Sequence, residues 1–247
     1  MIDFHGLSKK YGSFEALAPL SLGIPRGQVF GFLGPNGAGK TTTIRLMMGI
    51  LIPSGGNVTI DGLDCHADSV EIKRRVGYLP DNPIFYDYLR GREILQFIAE
   101  MHGFKRAEAL SRADRLLEEF QLQEVAEEFA VNYSMGMKKK LGLACALIHD
   151  PPVLILDEPT NGLDPRASRD VQDRLRKSAS EGKTIFLSTH LLDMAERLCS
   201  WIGIIHRGAL VATGAPQDLK NQLTSGGSLE EVFLAVTEES GSSPSQS

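Results

Sequence analysis

The stretch "GPNGAGKTT" at residues 34–42 has the residue types of a phosphate-binding loop. Glycines let backbone N–H groups turn inward around an anion, and the N-terminus of a following helix adds positive potential. The stretch matches the pattern G-x-x-x-x-G-K-[ST]. In this pattern, the ammonium of Lys40 is expected to bind the terminal phosphates and the hydroxyl of Thr41 to coordinate Mg²⁺. A ligand-free glycine-rich turn is the alternative, and the apolar run before the loop favours nucleotide binding. The predicted nucleotide contacts are Gly34, Pro35, Asn36, Gly37, Ala38, Gly39, Lys40, Thr41 and Thr42.

Two carboxylates follow a second apolar run, "VLIL" at residues 153–156. Ligands of open α/β sheets bind at the carboxyl ends of the strands, where Asp157 and Glu158 would lie. We expect Asp157 to hold Mg²⁺ through water and Glu158 to polarise the water that displaces the γ-phosphate. A simple turn cap after a strand is the alternative for both residues.

The elements that must position these side chains follow from hydrophobic periodicity. Continuous apolar runs predict strands of a doubly covered parallel sheet at 29–33, 76–79, 153–156, 184–188 and 201–205. Alternating patterns predict an antiparallel edge sheet from 2–7, 20–24 and 57–60. Helical spacing is found at 40–51, 91–102, 107–121, 136–149, 166–180 and 191–199.

Residues 85–150 are almost wholly helical inside a chain that otherwise alternates strand and helix. The predicted fold class is therefore α/β: a P-loop NTPase core with a mixed, mainly parallel sheet, an N-terminal antiparallel β subdomain and an inserted helical subdomain. We expect one domain over 1–235, with its α/β core formed by 1–84 and 151–224. The polar tail at 236–247 is predicted to be disordered.

Composition excludes several classes of protein. The chain has 247 residues, of which 42% are hydrophobic and 23% charged, as in an ordinary globular protein. A formal net charge of -5 argues against binding to nucleic acid through a basic surface. The first ten residues contain no apolar h-region, so we expect no secretory signal, and no apolar run approaches the ~20 residues that span a bilayer. If the protein works at a membrane, we expect another chain to supply the spanning helices.

Three cysteines, Cys65, Cys145 and Cys199, lie far apart in the sequence. They are odd in number and lack C-x-x-C spacing, so a disulfide framework or a zinc site is not expected.

Three further motifs occur in a fixed order around these two sites. "KKYG" occupies 9–12, "VLILDEPTNGLDP" occupies 153–165 and "LSTH" occupies 187–190. Together with the phosphate loop, they make the chain resemble the nucleotide-binding subunits of the ATP-binding cassette family over 1–235.

This resemblance implies roles for three more residues. Tyr11 would stack on adenine, Asp164 would lie in the loop that meets a second subunit, and His190 would be the switch histidine. A hydrogen bond from His190 would position the γ-phosphate against the water held by Glu158. The family resemblance also implies that two such subunits enclose two ATP molecules head to tail.

The sequence departs from the family pattern after "GYLP" at 77–80, where Asp81 replaces the usual glutamine. The carboxylate of Asp81 can coordinate Mg²⁺, although the aspartate side chain is shorter than that of glutamine and adds a negative charge. The alternative is that Asp81 is a plain turn residue between Pro80 and Pro83.

A second departure lies in "NYSMGMKKKLGLA" at 132–144, where the family usually has Leu-Ser-Gly-Gly-Gln. Ser134 and Gly136 are retained, and the resemblance implies that they bind the γ-phosphate held by the partner subunit. A basic helix with its three lysines in solvent is expected to follow, with Leu141, Cys145 and Ile148 on its buried side.

The sequence-based expectation is an ATP-hydrolysing transport subunit that uses ATP and Mg²⁺. We expect a homodimer at the cytoplasmic face of the cell membrane, bound to an integral membrane permease and to no nucleic acid. "GREILQFIAEMHG" and "SLEEVFLAVT" resemble subunits that serve exporter-type permeases. A family member acting on DNA or the ribosome, and a binding module without turnover, are the alternatives.

Overall fold

The computed structural model describes residues 1–221 and 228–239. Its strands are β1 (Ile2–Tyr11), β2 (Phe14–Ile24), β3 (Val29–Leu33), β4 (Gly55–Ile60), β5 (Leu63–Asp64), β6 (Val76–Leu79), β7 (Val153–Asp157), β8 (Thr184–Thr189), β9 (Trp201–His206) and β10 (Ala209–Gly214). Its helices are α1 (Lys40–Met47), α2 (Ser69–Arg75), α3 (Gly91–Met101), α4 (Arg106–Glu119), α5 (Met135–Leu147), α6 (Pro165–Ser180), α7 (Leu192–Leu198), α8 (Pro216–Asn221) and α9 (Leu229–Glu239).

The larger sheet has the strand order β10-β9-β3-β8-β7-β6. The five strands from β9 to β6 run parallel, and β10 pairs antiparallel with β9 at one edge. Residues of β3 and β7 are buried throughout because both faces of this sheet are covered. This arrangement explains why β3 and residues 153–156 of β7 carry no polar side chain.

The smaller sheet is antiparallel, with the order β2-β1-β4-β5. Strand β1 pairs with β2 on one side and with β4 on the other. Its register shifts after Phe4, near Gly6 with φ of 60°, and the strand then continues to Tyr11. The alternating pattern predicted only residues 2–7 because this irregularity breaks the period of two.

The core has two parts, one on each face of the larger sheet. Between the two sheets, the rings of Phe30 and Phe186 stack with centroids 5.6 Å apart, and Phe4 lies 6.3 Å from Phe186. On the opposite face, Leu154 and Leu156 are fully buried among apolar residues of the helices. Alternate residues of the same strand therefore join different halves of the core.

A helical segment separates β6 from β7, which are neighbours in the sheet. It contains α3, α4 and α5, and it packs closely on the core at Gly77. A Cβ atom at Gly77 would lie 2.1 Å from the carbonyl oxygen of Ala146 in α5, so only glycine permits this approach. The predicted fold class is confirmed, whereas the domain boundaries, including 85–150 for the insertion, stay predictions.

Periodicity missed the short elements and misplaced some ends. Helix α1 ends at Met47 and not near 51, because Gly49 adopts a φ of 62° and turns the chain. Strand β10 and helix α9 were not predicted.

The predicted disordered tail at 236–247 begins inside α9, so the prediction is wrong for 236–239, where Leu229 and Val232 anchor the helix in the core. Residues 240–247 and the predicted core boundary at 224 lie outside the described residues. Among the helices of the described ranges, none is both long and apolar enough to cross a membrane.

Candidate functional site

Three parallel strands bring the predicted chemical groups to one edge of the larger sheet. Strand β3 leads into the glycine-rich loop, β7 ends at Asp157, and β8 leads to His190. The register pairs Leu33 with Thr189 and Asp157 with Ser188, so these three carboxyl ends are level with one another. The site therefore lies where ligands of open α/β sheets bind.

The glycine-rich loop depends on two close backbone approaches. A Cβ at Gly34 would lie 2.4 Å from the carbonyl oxygen of Ile205, and one at Gly39 would lie 2.8 Å from that of Ala16. Gly39 also has a φ of 108°, which side chains other than glycine rarely permit. The loop is thus held against β9 and β2, and glycine at these positions permits the close turns with which a backbone surrounds an anion.

Lys40 is the buried cation of this loop, with a relative exposure of 6%. Its Nζ donates to the carbonyl oxygens of Gly34 at 2.6 Å and Pro35 at 3.2 Å. The same atom lies 3.5 Å from Oε1 of Glu158. The ammonium therefore lies between the loop and the carboxylates at the end of β7.

Asp157 is bonded from two sides. Thr41 Oγ1 donates to its Oδ2 at 2.9 Å, and Ser188 Oγ donates to its Oδ1. A hydroxyl and a carboxylate side by side supply the oxygen ligands that Mg²⁺ prefers. The donor set at Thr41 and Asp157 therefore fits this cation.

Glu158 has an unusual backbone and one unpaired oxygen. Its φ is 48°, in the left-handed region, where a backbone bond from its N–H to the Ser188 carbonyl oxygen at 3.1 Å holds it. Oε1 lies 3.0 Å from Nδ1 of His190. Oε2 is buried and has no hydrogen-bond partner among the described residues. This oxygen is therefore available to accept a hydrogen bond from a ligand or a water.

These residues share a cavity of about 240 Å³ with the end of the β1–β2 hairpin. Tyr11 is half-exposed, and Phe14 is 65% exposed on the same side of the cavity. The lining is formed by Tyr11, Phe14, Ala16, Pro35, Asn36, Gly37, Gly39, Lys40, Thr41, Thr42, Asp81, Asp157 and Glu158. The structure thus brings Tyr11 to the same cavity as the glycine-rich loop and the carboxylates, and it adds Phe14, which the sequence analysis did not include.

Ser134, Gly136 and Asp164 lie outside this lining, with Ser134 and Asp164 exposed and Gly136 half-buried. Ser134 begins α5, and its Oγ accepts a bond from Met137 N–H at 3.3 Å. Asp164 begins α6 and accepts bonds from the N–H groups of Ala167 at 3.0 Å and Arg166 at 2.9 Å. These bonds, led by the one from Ala167, hold the pKa of Asp164 below its usual value.

The two helix starts are neighbours. A Cβ at Gly136 would lie 3.5 Å from the side chain of Leu163, and one at Gly162 would lie 2.9 Å from the sulfur of Met135. The stretch that contains Ser134 and the loop that contains Asp164 therefore form one continuous surface.

The prediction that all three lysines of α5 lie in solvent is wrong for Lys139, which is only 3% exposed. Its Nζ donates to the Asp81 carbonyl oxygen at 2.5 Å and lies 3.3 Å from Asp81 Oδ1. Lys139 lies on the same helical face as the buried Gly142, Leu143 and Ala146, three, four and seven residues further on. Burial lowers the pKa of Lys139, and the charge of Asp81 opposes this shift.

Sequence reasoning missed four residues of this region: Ser188, Phe14, Lys139 and Asn161. Ser188 immediately precedes Thr189 and His190 at the end of a predicted strand, so its place beside Asp157 was within reach of the strand argument. Lys139 was not detectable from helical spacing, because Lys138 and Lys140 also have buried residues three and four positions further along α5. Asn161 Nδ2 donates to Asp81 Oδ1 at 3.3 Å, a contact between loops that no local pattern indicates.

A family model described as "ABC transporter" matches residues 17–161 of this chain. The chain is 36% identical over 222 residues to the "Probable multidrug ABC transporter ATP-binding protein YbhF" of Escherichia coli, covering 90% of this chain and 38% of that protein. It is 38% identical over 233 residues to the "Daunorubicin resistance ATP-binding protein DrrA3" of Streptomyces coeruleorubidus, covering 94% of this chain and 73% of that protein. The chain thus spans less than half the length of the first of these relatives.

A solved structure described as "Structure of ATP binding subunit of ABC transporter" has the same fold. Its TM-score is 0.89 at 34% sequence identity, and the match covers 96% of this chain and 99% of that one.

We expect Ser188→Ala to lower the free energy of unfolding by about 2 kcal/mol, because Asp157 would lose a bond to its buried charge. Urea unfolding followed by circular dichroism measures this change. Ser180→Ala, at the exposed end of α6, is the control and should change stability little. Equal stability of the two variants would mean that the Ser188 hydroxyl does not hold Asp157.

Proposed function

The chain belongs to the ABC transporter family as an ATP-binding protein, and we propose that it hydrolyses ATP to power a separate membrane permease. The observation that carries the proposal is Glu158, a buried carboxylate between Lys40 and His190 with one oxygen unpaired within the described part of the chain. A site for nucleotide binding alone would not need this arrangement. The presence of this arrangement therefore favours an ATPase over a module that binds ATP without hydrolysing it.

ATP would lie along the cavity with its base at one end and its phosphates at the other. Tyr11 would stack on adenine, and Phe14 offers a second ring on the same side. The backbone of residues 34–42 and the ammonium of Lys40 would bind the phosphates. Thr41 and Asp157 would hold Mg²⁺, with Asp81 as a further oxygen ligand on the cavity wall. Bound Mg²⁺ would neutralise charge on the phosphate oxygens.

Hydrolysis would use Glu158 as the group that orients and polarises the attacking water. Its Oε2 would accept a hydrogen bond from that water, which is aimed at the γ-phosphorus. His190 Nδ1 is 3.0 Å from Oε1 of Glu158, so the ring is placed beside the same carboxylate. The other ring nitrogen of His190 would then be free to donate to the γ-phosphate. Lys40, at 3.5 Å from Glu158, would bind the phosphate oxygens between them.

A second copy of the chain would complete the site. Ser134, Gly136 and Asp164 are polar or small, lie on one continuous surface and stand outside the cavity that contains Lys40 and Glu158. The start of α5 offers backbone N–H groups and the Ser134 hydroxyl, which suit an anion presented by another subunit. ATP would then join two identical chains by contacts from both, and hydrolysis would release them.

An apolar surface near β6 and α3 is suited to a permease. Ile84 is 93% exposed and Tyr88 is 84% exposed, whereas such side chains are usually buried or at an interface. Tyr86, Tyr88, Leu89 and Phe97 line a groove of about 450 Å³. Its walls fit a short apolar helix from a membrane protein, which would hold the chain at the cytoplasmic face of the cell membrane. The net charge of -5 disfavours nucleic acid as the partner.

We expect Glu158→Gln to lower the ATP turnover number by at least about 100-fold while ATP still binds, because the amide cannot polarise the attacking water. Steady-state phosphate release and equilibrium ATP binding measure the two effects. Glu118→Gln, an exposed change on α4, should keep the rate of the wild-type chain. Equal turnover of wild type and Glu158→Gln would show that this chain is not an ATPase of the proposed kind.

We expect Ser134→Arg to abolish ATP-driven dimer formation, because the longer side chain would fill the position of the partner's γ-phosphate. Sedimentation with and without ATP, in a Glu158→Gln background that retains ATP, measures dimerisation. Ser111→Arg adds the same charge to the exposed face of α4 and should dimerise normally. Normal dimers of Ser134→Arg would return this stretch to an ordinary helix start.

We expect the tagged chain, recovered with detergent from cells that naturally produce it, to bring down a protein with several membrane-spanning helices. Tyr88→Ser should weaken this recovery on the order of tenfold, because exposed aromatic anchors carry much of the binding energy at interfaces. Val70→Ser, which changes an exposed apolar residue on α2, is the control. Recovery of ribosomes or DNA in place of a membrane protein would favour the alternative function.

A further inference from the structure

We propose that Lys139 is a positioning residue of the ATP site, which neutralises Asp81 and fixes this carboxylate at the phosphate end of the cavity. The inference rests on the proposed function of the cavity and assigns a role to a residue outside its lining. It explains how a carboxylate can occupy a position where a neutral glutamine is usual in the resembling family.

The geometry joins three segments of the chain at Asp81. Lys139 in α5 donates to the Asp81 carbonyl oxygen at 2.5 Å, and its Nζ is 3.3 Å from Oδ1. Asn161, in the loop between β7 and α6, donates to the same Oδ1 at 3.3 Å. The backbone and the side chain of Asp81 are therefore both held, which a turn residue in solvent would not require. The cavity wall formed by Asp81 is fixed from behind by α5.

The charges at this end of the cavity make the pairing necessary. Asp81, Asp157 and Glu158 are three carboxylates that line the same cavity, and Lys40 is the cation among the lining residues. Asp157 and Glu158 also attract the Lys139 ammonium electrostatically. A triphosphate brings further negative charge to the same region. Without Lys139, the negative charge of Asp81 would repel the γ-phosphate. This repulsion would be only weakly screened, because the region between the two groups is partly buried.

Lys139 is not interchangeable with the lysines beside it. Lys139 is 3% exposed, whereas Lys138 and Lys140 are partly exposed on the turn around it. A buried ammonium is costly unless it is paired, and Asp81 supplies both its carbonyl and its carboxylate. Where the resembling family usually has a neutral glutamine, this chain therefore has an ion pair between Asp81 and Lys139. Each of the two charges needs the other as its partner.

The test is a double-mutant cycle with Lys139→Met, Asp81→Asn and the double variant Asp81→Asn/Lys139→Met in the full chain. Calorimetry measures the affinity for a non-hydrolysable ATP analogue and for ADP, with and without Mg²⁺. Thermal unfolding of each nucleotide-free variant is recorded in parallel. Lys138→Met removes one ammonium from the same helix without touching Asp81, and it is the matched control.

We expect Lys139→Met to weaken the ATP analogue about tenfold and ADP by less than about twofold, because the freed charge of Asp81 acts mainly on the γ-phosphate. The double variant should regain the affinity for the ATP analogue to within about threefold of wild type, since it removes both charges together and the amide that replaces the Asp81 carboxylate keeps an oxygen for Mg²⁺. Lys138→Met should bind both nucleotides as wild type does. The loss and its recovery are expected in the absence of Mg²⁺ as well.

Equal weakening of the ATP analogue and ADP by Lys139→Met would overturn the proposal, because a merely structural lysine would affect both. Failure of Asp81→Asn to restore the lost discrimination would overturn it as well. A wild-type chain that binds the analogue but turns over no ATP would contradict the proposed function and leave this binding test valid. A wild-type chain that binds neither nucleotide would overturn both.

Discussion

The Asp157 carboxylate is the point at which distant parts of the chain are fixed to one another. Thr41 reaches one of its oxygens from the start of α1, and Ser188 reaches the other from β8. Asp157 itself ends β7, so three elements separated by up to 147 positions in the sequence meet at one side chain. A buried carboxylate requires such partners, and satisfying it aligns the loop that carries Lys40 with the strand end that carries Glu158.

The surroundings of Glu158 follow from this alignment. Its backbone occupies the left-handed region at φ 48°, and a bond to the Ser188 carbonyl oxygen keeps it there. Conformational strain in a non-glycine residue persists only where the neighbouring structure enforces it. The enforced turn places one oxygen beside His190 and Lys40 and buries the other. Fold stability and the proposed chemistry therefore depend on the same contacts at the end of β7.

Much of this organisation was predictable because it arises from local patterns. Apolar runs with glycine boundaries gave the central strands, and parallel strands must end at a common edge, so Lys40, Asp157, Glu158 and His190 were expected together. Lys139 was not predicted because a run of three lysines is usually solvated, and because buried residues of α5 lie at helical spacing from all three lysines. Strand β10 and helix α9 depend on tertiary packing against the end of the sheet, which weak local periodicity does not encode.

Helix α5 carries Ser134 at its first turn and Lys139 five residues later, about 7.5 Å along the axis. One end of this rod carries the surface proposed to meet a second subunit, and its middle is bonded to Asp81 in the lining of the chain's own cavity. In a symmetric pair of chains, the two rods would connect the two nucleotides in both directions. Loss of the γ-phosphate from one cavity would then also change the contact that α5 makes with the nucleotide in the other cavity. The two nucleotide sites of such a pair would therefore be coupled.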